Sequence, residues 1–207
     1  MSNIGPKQNK LSPRNGKIAV NSLIIKPKRA AILVNWIQKK GYKESIPIDS
    51  KYKLYNIYRG SRDGYDINTI RNKCDGLGAC ILVIKTKEKS IIGGYNPLGW
   101  KSISIQHKIG KPSYWAETSE SFIYSFSEND WDNLKISRVA NKNKAIYEST
   151  YQHLPLNFGN SDLVININED DHKSGTCKLN YYESEILDTN NFTIEEMEIF
   201  RLCIKDE

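Results

Sequence analysis

The chain has 207 residues, 39% of them hydrophobic and 26% charged, with a mean hydropathy of −0.57. That supports one sizeable globular domain but hardly two, and no apolar run approaches the ~18 residues of a membrane-spanning helix. The net charge of +6 is uneven, because residues 1–53 carry 12 Lys+Arg against 2 Asp+Glu and the remainder carries 18 against 22.

Residues 1–16 are polar and broken by Gly5, Pro6, Pro13 and Gly16, the composition of a disordered basic leader. They lack the apolar stretch of a secretory signal, so a cytoplasmic location is expected. The arm either keeps the chain soluble or makes a weak contact with an anionic surface. No aromatic-interleaved pattern marks it for nucleic acid, which is not expected as a partner. Ile18 to Ile25 reads as a short strand. Pro27 opens and Gly41 closes a helical run from Lys28 to Lys40, with Leu33, Trp36 and Ile37 on one stripe. This helix docks on its own domain or on a partner. Residues 17–49 thus form a strand–helix extension, and 50–207 the main domain.

From Leu54 onward the pattern changes to short strands between turns. Asp66 caps a short helix whose Ile67, Ile70 and Cys74 are helically spaced, ending at Asp75-Gly76. Ala79 to Ile84 is a continuous apolar run, as in a buried strand, and Ser90 to Tyr95 follows across a Lys87-Glu88-Lys89 turn. Gly93-Gly94 implies a bulge or the close approach of another backbone. Phe122, Tyr124 and Phe126 give the next strand one aromatic face. Further strands are read at Lys144 to Glu148, Leu163 to Ile167, Cys177 to Tyr182 and Met197 to Ile204; for Glu195 to Leu202 a helix is the alternative. Many strands and only two clear helices predict an α+β class: a β-rich antiparallel sandwich of two sheets with a few flanking helices.

Little here resembles an active site. Cys74, Cys80, Cys177 and Cys203 form no C-x-x-C pair, and His107, His153 and His172 lie far apart, so neither a metal site nor a cofactor is expected. Ser61 with Asp63, or Cys74 with any histidine, supplies the residue types of nucleophilic catalysis, but no spacing selects one. Glu169-Asp170-Asp171 reads as a solvated hairpin tip; as a calcium loop it lacks ligands at alternate positions. Trp100, Trp115 and Trp131 sit in polar surroundings, either as interface anchors or as caps on the core.

Four segments stand together in order: Arg59-Gly60-Ser61-Arg62-Asp63-Gly64-Tyr65 with Cys74-Asp75; Gly93-Gly94-Tyr95-Asn96-Pro97-Leu98-Gly99-Trp100; Ser121 to Phe126; and Asn157-Phe158-Gly159-Asn160-Ser161-Asp162-Leu163. In order and spacing they resemble the TLDc domain of the oxidation-resistance proteins, over roughly residues 50–205. Leu23-Ile24-Ile25 through Asn35-Trp36-Ile37 is similar to the segment preceding TLDc in fungal proteins that carry BTB and BACK domains upstream. A chain of this length has no room for either, so a stand-alone or truncated TLDc module is expected. Two departures bear on loop geometry: Leu154-Pro155-Leu156-Asn157 replaces the usual Gly-Pro before Phe-Gly, and Ser102 to Glu120 is long. The resemblance implies a non-catalytic regulatory module linked to oxidative-stress resistance. Its implied partner is the vacuolar proton-pumping ATPase, which some members bind and disassemble. A thiol-dependent antioxidant enzyme acting through Cys74 or Cys80 is the alternative. Among the motif residues, Arg62 either pairs with a carboxylate or offers its planar fork to a partner.

Overall fold

A computed structural model describes residues 18–39, 52–101, 113–128, 130, 133–149, 156–167 and 173–204. The basic leader, Gly41, Trp131, the three histidines and Glu169 to Asp171 lie outside the described residues.

The order of elements is α1 (Pro27–Lys39), β1 (Tyr52–Arg59), the single helical turn α2 (Gly60–Asp63), α3 (Ile67–Cys74), β2 (Cys80–Thr86), β3 (Ser90–Asn96), β4 (Ser113–Ala116), β5 (Phe122–Ser127) and β6 (Leu134–Arg138). A 3-10 turn (Lys142–Lys144) then precedes β7 (Ile146–Ser149), β8 (Asn157–Phe158), β9 (Leu163–Ile167), β10 (Lys173–Thr176) and β11 (Asn191–Ile204). All strand pairs are antiparallel. One layer runs β1-β11-β2-β3-β5-β6 and the other β4-β7-β8-β9-β10-β11. The 14-residue β11 serves both: Asn191 to Thr193 pair with β10, and the rest runs between β1 and β2.

Alternation within the strands builds two cores. On β2, Cys80, Leu82 and Ile84 face the second layer, where Ile146, Phe158, Leu163 and Ile165 meet them. Ile81 and Val83 point the other way, into a core shared with α1. Both faces of the strand are buried, which is why its sequence is an unbroken apolar run. The aromatic face of β5 lies on this outer side. Trp36 of α1 meets Phe122 and Tyr124 with ring centroids 6.1 Å apart in each case. The amphipathic helix therefore docks on its own domain. Arg29, one of the basic residues of the N-terminal segment, is buried in this contact. Its guanidinium lies 5.0 Å from the Phe126 ring centroid and donates to the Ser127 and Glu128 carbonyls, both at 2.8 Å.

Asp66 caps α3 as expected, its carboxylate accepting the Thr69 N–H at 2.7 Å. Two expected strands are absent. Residues 18–25 make only one bridge, Val20 to Leu54; Ser22 turns the segment instead, its hydroxyl accepting the Ile24 and Ile25 N–H groups. Cys177 to Tyr182 is a loop with a single bridge, Val139 to Tyr182. Its apolar residues are buried because the loop is tied down from elsewhere. The strand lies just before it, at Lys173–Thr176. For Glu195 to Leu202 the helical alternative is excluded, since this stretch is the middle of β11.

Candidate functional site

The first motif closes the end of β1. Arg59 and Glu198 are cross-strand partners on β1 and β11, and the Arg59 Nε–H donates to Glu198 Oε1 at 2.7 Å. Glu198 is fully buried. It also accepts the Leu23 N–H at 3.1 Å and the Ser22 hydroxyl, while Arg59 Nη2 reaches the Asn21 carbonyl at 3.1 Å. One ion pair thus binds the N-terminal segment to the sheet. Beyond it, Asp63 gathers the Arg59 N–H at 2.9 Å, the Arg62 guanidinium through Nε (3.0 Å) and Nη2 (2.7 Å), and Lys73 Nζ at 3.2 Å. The Arg62 fork, with the Arg59 N–H and Lys73, holds the Asp63 carboxyl well below its usual range. Ser61 donates its N–H to Glu196 at 3.2 Å, and the Gly64 carbonyl accepts the Tyr58 hydroxyl at 2.7 Å. Arg62 remains 46% exposed while it pairs. Of the two readings of this residue, the structure shows the carboxylate pairing, and the guanidinium keeps an accessible face.

The second and fourth motifs meet in the inter-layer core. The Phe158 ring lies over Gly94, where an added Cβ would come within 2.7 Å of it, and Trp100 packs edge-on to Phe158 at 6.3 Å. A Cβ on Gly93 would meet the Tyr124 hydroxyl at 2.6 Å and the carbonyl of Leu82. The glycine pair therefore admits aromatic side chains on its two faces. Of the two readings of this pair, the close approach of another backbone holds, since an added Cβ on Gly93 would lie 1.9 Å from the Leu82 carbonyl oxygen, and the continuous β2–β3 register leaves no bulge. Trp100 is 2% exposed and caps the core rather than anchoring an interface.

Gly159 and Asn160 both adopt φ of 65°, turning the chain into β9. This places Asp162 beneath the 177–182 loop, where its carboxylate accepts the N–H groups of Asn180 (2.8 Å), Tyr181 (2.9 Å) and Tyr182 (3.0 Å). Tyr182 then reaches the Ala145 carbonyl at 3.0 Å and the Ser121 hydroxyl of the third motif at 2.7 Å. Glu198, Glu196, Ser22 and Tyr182 were not singled out by sequence reasoning. The one available signal was an acid, Glu198, inside the apolar alternation of Met197 to Ile204.

A second buried ionic group joins α3 to β7. Arg71 lies 3.0 Å from Asp75 and 3.3 Å from Glu148, and donates to the Lys101 carbonyl at 2.8 Å. Burial pushes the Glu148 carboxyl up to about 7 and that of Asp75 to about 6, although Arg71 opposes both shifts. Because these values exceed those of the unfolded chain, the folded state holds the protons more tightly. The associated stability is complete below the unfolded values and is lost as pH rises through the folded ones. Stability is therefore expected to fall between about pH 5 and 7, and Glu148→Gln should flatten that slope in thermal melts taken across the range. An unchanged slope would show that Glu148 does not titrate there.

The geometry offers little to catalysis. Cys74 and Cys80 are fully buried, and burial raises both thiols, Cys80 to about 12, against the lowered values of reactive cysteines. No group of three metal-ligating side chains exists among the described residues. An open groove of about 240 Å³ lies at the β5–β6 end, lined by Ser90, Ser125, Lys135 and Asp188 among others, and the Ser125 hydroxyl there donates to the Ile186 carbonyl. No helix among the described residues is long and apolar enough to cross a membrane.

No curated protein matches the chain. The TLDc domain family model matches residues 18–203, almost the whole length, and so takes in α1 as well as every motif described above. The chain belongs to the TLDc domain family.

Proposed function

We propose that the chain is a non-catalytic protein-interaction module linked to oxidative-stress resistance, and that its partner is the vacuolar proton-pumping ATPase, whose disassembly it promotes. The observation that carries this reading is the state of the motif residues. Asp63, Gly94, Phe158 and Asp162 are engaged in building the domain, while Ser61, Arg62 and Gly64 of the first motif reach the surface, and of these the Arg62 guanidinium carries the charge. A planar cation already oriented by Asp63 loses little freedom on meeting a partner carboxylate. Such a module acts by binding the separated subunits more tightly than the assembled pump, which shifts the equilibrium toward disassembly. The thiol alternative through Cys74 or Cys80 gains no support from sulfurs this deeply buried.

The test is capture of purified pump subunits by the intact chain and by Arg62→Glu. Lys73 still pairs with Asp63 in the variant, so its stability should change by less than about 1 kcal/mol, while capture falls roughly tenfold. Undiminished capture by a folded Arg62→Glu chain would move the contact elsewhere, and no capture by the intact chain would remove the pump from the proposal.

A further inference from the structure

Of Trp100 and Trp115, the two described tryptophans in polar surroundings, Trp100 is buried and Trp115 is half-buried, with part of its ring at the surface. Its neighbours in β4 explain why. Ala116 belongs to the inter-layer core and Tyr114 packs against it, so alternation turns Trp115 to the opposite face of the strand. Tyr147 of β7 is its cross-strand partner, with ring centroids 5.0 Å apart. Tyr181, held in place by the Asp162 carboxylate, approaches edge-on at 5.4 Å. Lys144 completes the group, its ammonium 4.4 Å from the centre of the Trp115 ring.

We infer that Trp115, with Tyr147, Tyr181 and Lys144, anchors a docking surface for an acidic, extended segment of a partner protein laid alongside β4. The inference rests on the reading of the chain as an interaction module, and it adds the chemistry of the partner. Three arguments carry it. First, Trp and Tyr are the residues that dominate interface energetics, and here each ring is immobilised by the others, so little side-chain entropy remains to be lost on binding. Second, Lys144 supplies a cation at the patch. Lys142 binds Glu117 at 2.9 Å, whereas Lys144 has no carboxylate partner among the described residues and lies on the tryptophan instead. A cation held on an aromatic anchor favours a carboxylate at short range. Third, β7 is the sole strand neighbour of β4 among the described residues, which leaves an edge suited to main-chain pairing. A single-stranded nucleic acid fits less well, since its continuous phosphate backbone would meet a body carrying 18 Lys+Arg against 22 Asp+Glu over residues 54–207.

The experiment uses the full chain and an array of eight-residue peptides. Apolar residues are varied at alternate positions, and the intervening positions are all Glu, all Gln or all Lys. Binding is read by fluorescence anisotropy, with an oligothymidylate as a further probe. The Glu set should bind best, and Lys144→Glu, at a half-buried site outside the core clusters, should weaken it about tenfold. Trp115→Phe, which keeps an aromatic ring, should weaken it several-fold, and Arg62→Glu should leave it unchanged. The inference is overturned if no peptide binds, if the three sets bind alike, if Lys144→Glu and Trp115→Phe bind as the parent does, or if the oligothymidylate outcompetes the Glu set. These outcomes are separate from pump capture. Glu-set binding without capture removes the pump and keeps this surface, and capture lost in Arg62→Glu without peptide binding does the reverse.

Discussion

Replacing Asp162 by Ala is expected to destabilise the domain by about 3–5 kcal/mol. The carboxylate is 1% exposed and accepts three successive backbone N–H groups, those of Asn180, Tyr181 and Tyr182. Alanine leaves these donors without an acceptor, at about 1–3 kcal/mol each before water re-pairs part of them. For a chain of this size the melting temperature should drop by about 6–20 °C. Asp162→Asn keeps one carbonyl oxygen as an acceptor and should lose about half as much. Urea unfolding of both variants is the check, and a loss below about 1 kcal/mol for Ala would mean that the loop is held by other contacts.

Arg59→Met is expected to cost about 3–5 kcal/mol for a different reason. It leaves Glu198 fully buried with its cation removed. Glu198→Gln in the same background should recover part of the loss, because a neutral amide still accepts the Leu23 N–H while no charge remains to be buried. If the double variant is no more stable than Arg59→Met, then Arg59 stabilises the domain through packing rather than charge. Loss of Arg59 should also free the N-terminal segment. Hydrogen exchange at Leu23 and Ile24 should rise ahead of global unfolding.

These two sites show how far the sequence could be read. Asp66 was legible because a cap directly precedes its helix and accepts an N–H only three residues on, and β2 because burial on both faces leaves an unbroken apolar run. The four motifs were legible as a family pattern, yet their roles were not. Asp162 acts on residues about 20 positions away, and nothing local marks Tyr182 as a residue held from a distance. The same long-range tie misled the reading of 177–182, whose buried Cys177 and Tyr182 look like strand residues. Conversely, Lys173–Thr176 has no large apolar residue to announce β10. It pairs because Gly175 accommodates the Phe192 ring, which would lie within 2.1 Å of an added Cβ. Arg62 was legible as a choice between two roles, and the pairing with its neighbour Asp63 could be resolved only in three dimensions.

The long strand β11 has a consequence for how the domain is made. It is the last element in chain order, yet it lies between β1 and β2 and reaches over to β10. During synthesis from the N-terminus, three strands therefore emerge before the neighbour they share. Until residues 191–204 leave the ribosome, β1 has no strand neighbour and β2 is open on the side away from β3, and the contacts that close the sheet span more than 100 residues of sequence. The nascent chain must wait with open strand edges, a state prone to aggregation. Its final fourteen-residue strand then converts a set of fragments into one cooperative unit.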